Sequence, residues 1–464
     1  MSIKDALEVT KATNADVQTP DYLKHIILDF MQMQEFIKEP FVLAKADGIR
    51  YEDVNGKSYI DGISGIFVAT VGHNNRRVIE AMKAQLDQMA FSPPLHGTNP
   101  PAVKLAKLLS EITPGDLNTI KLLSGGSEAT EAAMKIAKQY HKQTGNPTKF
   151  KIISRYQGYH GATLGSLAAT GTARRKSVFE PLPGGFIHFF PPHCYRCPYK
   201  KTYPSCELLC ATIIRDIIRY EGPETVAAVI VEPISNTGGI ITPPPEYYPI
   251  LREICDEFNV LLIFDEIITG FGRTGEMFAA QTFKTTPDLL CMGKGMSSGY
   301  APLAGVAISD RVAKAFWGKA EDAVGFSHGH TYAGNPLSAA AGLACIQEII
   351  ERDLPANART MGAYLKNKLE EGLGKHGIVG EIRGKGLLLG VELVKNPETK
   401  EAFGPKEKIG VKIGKQALKN GLVIRFDPDW VSLAPPLIVD KGDIDRMVEI
   451  LVKSVGEVMK TAKR

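Results

Sequence analysis

Hydrophobic and polar positions follow two regimes along the chain. From about Asn118 to Ile308, short continuous apolar runs (KFKIIS, VAAVIVEPI, LLIFDEI, LLCMGKG and APLAGVAIS) alternate with stretches of helical spacing. Runs that are apolar at every position predict strands buried on both faces, and their alternation with helices predicts an α/β fold with a mostly parallel sheet. Ahead of this region an amphipathic stretch runs from about Tyr22 to Phe36. A strand-turn-strand pattern follows, with Asn55-Gly56 as its hairpin signal. After residue 345 the pattern turns helical again, with GKGLLLGVELV and the run Gly421 to Val439 as strands of a smaller α+β lobe. There is no internal repeat, and Pro191 to Cys210 is the one obvious insertion.

A chain of 464 residues exceeds the usual size of one domain, which agrees with two lobes. Its 44% apolar and 23% charged content is that of a soluble globular enzyme. The net charge of +4 arises from 55 basic and 51 acidic residues with no basic block, so nucleic acid is not an expected partner. The N-terminal stretch lacks the apolar region of a secretory signal, and no apolar run reaches spanning length. A cytoplasmic, membrane-free protein is expected.

Three segments carry chemistry. In LLSGGSEATEAAMKIAKQY the turn Ser124-Gly125-Gly126-Ser127 opens a helix with apolar residues at Ala129, Ala132, Ala133, Ile136, Ala137 and Tyr140. Glycines admit close backbone approach and a helix N-terminus favours an anion, so the turn suits a phosphate; a Ser-capped, tightly packed helix is the alternative. In LLIFDEI, Asp265 stands at the carboxyl end of a buried strand, where open α/β sheets place ligands. It needs a partner: a cationic ring nitrogen, or a structural arginine such as Arg273. In LLCMGKG, Lys294 holds the equivalent strand end between two glycines, which leave room for a planar adduct. Desolvation there would lower the amine's pKa enough for imine chemistry.

The run FDEIITGFGRTG, then PDLLCMGKG, then GYAPLAG resembles the signature of class III (ω) aminotransferases. DVNGKSYIDGISG, SGGSEATEAAMK, YHGATLGS, VEPI, HGHTYAGNP and RFDPDWVSLAPPL extend the resemblance in order over nearly the whole chain. It implies the fold type I of pyridoxal-phosphate-dependent transferases. The large cofactor-binding domain, residues 66–344, would carry a mostly parallel seven-stranded sheet, and residues 1–65 and 345–464 would form the smaller α+β domain. It implies pyridoxal 5′-phosphate with Lys294 as its Schiff-base lysine, Asp265 on the pyridine nitrogen, Ile267 beneath the ring and Tyr159 on the other face. Gly126 and Ser127 would hold the phosphate, joined by Thr331 of a neighbouring subunit, hence a homodimer with sites at the subunit interface.

The sequence departs from the family pattern twice: at Ser124-Gly125-Gly126, and at Ser235-Asn236 after Glu232. Glu232 aligns with a glutamate that pairs with a substrate-recognising arginine in some members; its role here stays open. Arg425 matches an arginine that binds a substrate carboxylate in the ω-amino acid and amine:pyruvate branch, with a surface arginine as the alternative. Phe67 and Phe91 are candidate pocket walls. The expected reaction is a ping-pong transfer of an amino group from an ω-amino acid or amine to pyruvate. A 2-oxoglutarate enzyme of acetylornithine or 4-aminobutyrate type and an amino-acid racemase or epimerase are the alternatives.

Seven cysteines in such a chain argue against a disulfide framework, but Cys194, Cys197, Cys206 and Cys210 cluster as C-x-x-C, eight residues, C-x-x-x-C. A structural zinc or iron–sulfur site, disulfides and plain packing all remain open for them.

Overall fold

A computed structural model describes residues 5–404 and 406–462. Its central sheet has seven strands in the spatial order Thr119–Leu123, Ala304–Ile308, Leu289–Met292, Leu261–Asp265, Val226–Val231, Lys151–Arg155 and Phe186–Phe189. Ala304–Ile308 runs antiparallel to both neighbours and the other pairs are parallel. All residues of Val226–Val231, Leu261–Asp265 and Leu289–Met292 are buried, as their unbroken apolar runs require when both faces are covered. Five of the predicted strands therefore lie side by side. The carboxyl ends of the four parallel ones open toward one region of the molecule, and Ala304–Ile308 runs the other way.

The helix Gly126–Gln143 follows the first strand and covers one face, burying Ala129, Ala132, Ala133, Ile136 and Ala137 against it. The small side chains of that stripe let the helix lie close to the sheet.

Two four-stranded sheets complete the fold. Leu43–Asp47, Arg50–Asp53 and Ser58–Asp61 form a meander whose second turn carries Gly56 at φ +81°, and Leu422–Val423 joins its edge in parallel. Val379–Lys385, Leu388–Leu393, Trp430–Leu433 and Arg425–Asp427 form the other. The late strand run thus splits between two sheets, one of which is built mainly from the N-terminal segment. The buried Arg273 ties these parts together, donating to the carbonyls of Leu387 (3.0 Å) and Pro435 (2.5 Å) and to Ser64 Oγ (3.0 Å).

The amphipathic stretch near Tyr22 to Phe36 is not one helix. It holds two short ones, Pro20–Leu23 and Met33–Lys38, with Ile27 90% and Phe30 75% exposed between them. Without a facing surface to bury its apolar stripe, so short a helix lacks what stabilises most helices in proteins. No helix among the described residues is long and apolar enough to cross a membrane.

Of the readings open for the four clustered cysteines, zinc or an iron–sulfur cluster finds no support among the described residues. Cys194, Cys197, Cys206 and Cys210 do line one cavity of about 20 Å³, but all four are free thiols. Among the described residues no three His, Cys, Asp or Glu side chains are disposed to hold a metal ion. The thiol of Cys210 is pushed up to about 12, by burial first and then by its three neighbouring cysteines. The segment is fastened instead by Arg196, which binds the buried Glu392 of the C-terminal sheet, itself 2.8 Å from Arg383.

Candidate active site

The carboxyl ends of four adjacent elements converge on a cavity of about 240 Å³, lined among others by Gly126, Ser127, Tyr159, His160, Glu232, Asp265, Ile267 and Lys294. Asp265 closes its strand, where the buried run stops, and is 5% exposed. Its Oδ2 lies 2.8 Å from His160 Nδ1, and its Oδ1 accepts the Ile267 N–H at 3.2 Å. The alternative partner, Arg273, is absent from this site; it is engaged by the three oxygens named above.

His160, which sequence reasoning did not single out, joins the site beside Asp265. It is 2% exposed, and its Nε2 is buried without a hydrogen-bond partner among the described residues. The available signal was the requirement that a buried carboxylate find a donor, combined with a histidine directly after Tyr159.

Lys294 follows the strand Leu289–Met292 and takes φ +40°, a left-handed conformation that side chains rarely adopt and that recurs at functional sites. Burial pulls its amine below the ordinary lysine range, opposed by the nearby Asp265 and Glu232. An amine held this way loses its proton more readily than one in water.

Glu232 sits across the cavity at 5% exposure and accepts the Tyr159 N–H (2.9 Å), the Ser235 hydroxyl (3.0 Å) and the Asn236 N–H (3.2 Å). The two residues that depart from the family pattern therefore supply two of its three hydrogen bonds, and among the described residues no arginine forms an ion pair with its carboxylate. Burial raises its carboxyl above the usual range, against the lowering effect of His160.

Ile267 is wedged between two glycines. A Cβ on Gly126 would come within 3.2 Å of it, and one on Gly293 within 3.0 Å. Gly126 begins the helix Gly126–Gln143, so its glycine leaves both the first backbone N–H groups and the Ile267 face open to a ligand. Ser127 Oγ accepts the Ala162 N–H at 3.0 Å, which leaves its proton free to donate.

A second cavity of about 460 Å³ shares Tyr159, Ile268 and Lys294 with the first and is walled by Phe67, Arg174, Arg175, Arg425 and Asp427. Phe67, 2% exposed and packed in the core, borders this cavity. Arg425 also faces this space, 3.5 Å from Asp427 and 5.8 Å from the centroid of the Trp430 ring.

Phe91 and Thr331 line neither cavity. Phe91 is 44% exposed and meets Tyr332, the neighbour of Thr331, with ring centroids 6.2 Å apart. The two predicted residues share one surface region outside the site of their own chain.

Residues 33–455 match the family Aminotransferase class-III. The chain is 40% identical over 439 residues to a probable aminotransferase of Mycobacterium tuberculosis, covering 93% of this chain and 92% of that one. It is 32% identical over 458 residues to a putrescine–pyruvate aminotransferase of Pseudomonas aeruginosa, covering 97% and 98%. Its fold superposes with a TM-score of 0.92 on an (S)-enantioselective omega-transaminase from Thermomicrobium roseum, at 36% identity over 97% of this chain and 99% of that one. A lysine and an aspartate at neighbouring strand ends above a glycine-opened helix, within a match of this extent, mean that the chain belongs to the class III pyridoxal-phosphate-dependent aminotransferases.

Proposed function

We propose that this enzyme moves an amino group from an ω-amino acid or amine to pyruvate in two half-reactions at the cavity around Lys294. The observation that carries the reading is Arg425, whose guanidinium faces the same outer cavity as Lys294 and can grip a keto-acid carboxylate in bidentate fashion. The relatives named for pyruvate and for omega-transamination support it.

The residues fit the cofactor. Ile267 beneath and Tyr159 above suit a flat ring, the glycine at position 126 leaves space that a Cβ would fill, and Asp265 is a buried acceptor at the right depth. Bound there, pyridoxal 5′-phosphate supplies an electron sink that acidifies the hydrogen on the carbon bearing the amine. Asp265, whose carboxylate His160 fixes through Oδ2, would hold a proton on the ring nitrogen. Gly126 and Ser127 would hold the phosphate at the helix N-terminus. Lys294 Nζ, which lines the same cavity, would take up and return the proton of the donor carbon, a general acid–base role typically worth about 10²–10⁴-fold. Thr331 would reach the phosphate of the partner subunit's site and Phe91 would form part of its wall, which would make the working unit a homodimer.

The test is a single-turnover experiment with the cofactor-loaded enzyme. β-Alanine, 4-aminobutyrate, taurine, a primary amine or an α-amino acid is added without keto acid, and the bound-cofactor absorbance is followed. Loss of the band with an ω-amino acid or amine and its return with pyruvate is the expected result. Return with 2-oxoglutarate at equal yield, or decay of optical rotation of an α-amino acid with all nitrogen retained, would replace this reading.

A further inference from the structure

Three guanidinium groups meet at the outer cavity, and only two have a carboxylate. Arg174 makes a bidentate pair with Asp427 at 2.5 and 2.7 Å, and Arg425 lies 3.5 Å from the same aspartate. Arg175 has no ion pair and no side-chain hydrogen bond among the described residues, and its Nε is completely buried without a partner. Two aromatic rings fix its position: its guanidinium carbon is 4.4 Å from the centroid of Phe30 and 5.0 Å from that of Tyr159. Tyr159 also lines the inner cavity beside Lys294. Arg175 therefore stands one ring thickness away from the reacting region.

A guanidinium Nε buried with no acceptor is costly, because its hydrogen bond to water is lost and nothing replaces it, while the rest of the half-buried Arg175 group borders the cavity. Stacking on two rings offsets part of this but uses the faces of the group and leaves its N–H edge free. Arg175 is further burdened by its own kind. Burial and then the neighbouring Arg425 and Arg174 pull its proton affinity down, and Asp427, already shared by two arginines, is the carboxylate that opposes this. Asp29 also lines the cavity, on the exposed stretch that carries Phe30, and forms no ion pair among the described residues. With Lys294 committed to the reaction, the wall offers three arginines against two aspartates. The missing charge is negative.

We infer that Arg175 is a distal-anion subsite that selects an amino donor carrying an acidic group at the end remote from its amine. The ligand chemistry is a carboxylate or sulfonate two or three carbons from the nitrogen, gripped by the free edge of Arg175 while Tyr159 holds the plane of the guanidinium. The inference rests on the proposed transaminase reading and narrows its donor class from ω-amino acids and amines to ω-amino acids. A diamine would place a second cation beside three arginines, and a simple alkylamine would leave Arg175 as unsatisfied as before.

The donor half-reaction tests this without any keto acid, so the identity of the acceptor does not enter. Cofactor-loaded wild type, Arg175→Gln, Arg175→Lys and Arg425→Gln are each mixed with β-alanine, 4-aminobutyrate and taurine, and with propylamine and butylamine as partners lacking the acid. Wild type is expected to prefer the acids. Arg175→Gln should lose about 10- to 100-fold in the concentration dependence for acids, with the limiting rate nearly unchanged and the amines unaffected or improved. Arg175→Lys should recover only part of the loss. A second readout is the binding of propionate and ethanesulfonate to the loaded enzyme by calorimetry, which needs no transfer at all. Weaker binding to Arg175→Gln than to wild type is expected. Equal binding to both, a loss confined to Arg425→Gln, or a parallel loss for acids and amines would overturn the subsite. Failure of every donor to bleach the cofactor band would instead remove the transaminase reading, while the calorimetry would still decide the subsite.

Discussion

His160 Nδ1 lies 2.8 Å from Asp265 Oδ2, and both residues are buried at the floor of the inner cavity. The contact fixes the carboxylate plane and occupies one oxygen, so the rotamer of Asp265 is set before any ligand arrives. Replacing His160 by leucine should leave Asp265 with only the Ile267 N–H. The expected outcome is faster loss of cofactor on dialysis and a donor half-reaction slowed about 10-fold, the scale of one lost charged hydrogen bond. His160→Asn, which keeps a donor, should recover part of both. Retention of wild-type cofactor affinity in His160→Leu would show that Asp265 holds its position unaided.

The two glycines around Ile267 make a sharper geometric claim. A methyl group at position 126 or 293 would meet Ile267 at 3.2 or 3.0 Å, and the side chain would have to move toward the space between it and Tyr159. Gly126→Ala and Gly293→Ala should each weaken cofactor retention, with an overpacking cost to stability of about 1–3 kcal/mol. Trimming Ile267 to valine in the same chain should restore retention. Equilibrium dialysis of the single and double variants measures this, and absence of rescue would place the damage in the backbone.

Continuous apolar runs made the central strands legible in the sequence, and with them the places of Asp265 and Lys294, because a strand buried on both faces delivers its last residue to a fixed edge of the sheet. The glycine turn and its helix were legible for the same reason. What local pattern does not carry is which distant side chains meet. His160 reaches Asp265 across 105 residues of chain, and Arg175 is placed by rings from Phe30 and Tyr159. The stretch around Ile27 had helical periodicity but no surface to bury it against. The four cysteines had metal-like spacing and do gather at one cavity, yet spacing along a chain does not fix the directions of sulfur atoms.

Phe91 and Thr331 bear on assembly. They lie together outside their own cavity, as residues contributed to a partner's site would. Sedimentation should therefore give a dimer. Mixing Lys294→Ala with Thr331→Ala and allowing subunits to exchange should produce hybrids in which one of two sites has both native residues. Activity should rise above the sum of the unmixed variants. A monomeric active enzyme, or strict additivity after exchange, would end the shared-site proposal.

Acid sensitivity follows from His141, which lies in the last turn of Gly126–Gln143 and is completely buried. Its Nε2 bonds to the Ala227 carbonyl at 2.9 Å, while its Nδ1 has no partner among the described residues. Burial, aided by Lys149 and Arg311, lowers its pKa from 6.5 to about 4, against the pull of the Ala227 carbonyl and Asp288. The folded state therefore binds fewer protons at this group than the unfolded state. The stability it contributes is complete above pH 6.5 and is lost as the pH falls from there toward 4. The shift corresponds to roughly 3 kcal/mol at the acid end of that window. The unfolding midpoint of the wild type should fall steeply between pH 6.5 and 4.5. His141→Gln, which keeps a donor for Ala227, should be less stable at pH 7.5 and show a shallower fall. Identical slopes in the two proteins would assign the acid sensitivity to His188 and His193, whose pKa values burial also lowers to about 4.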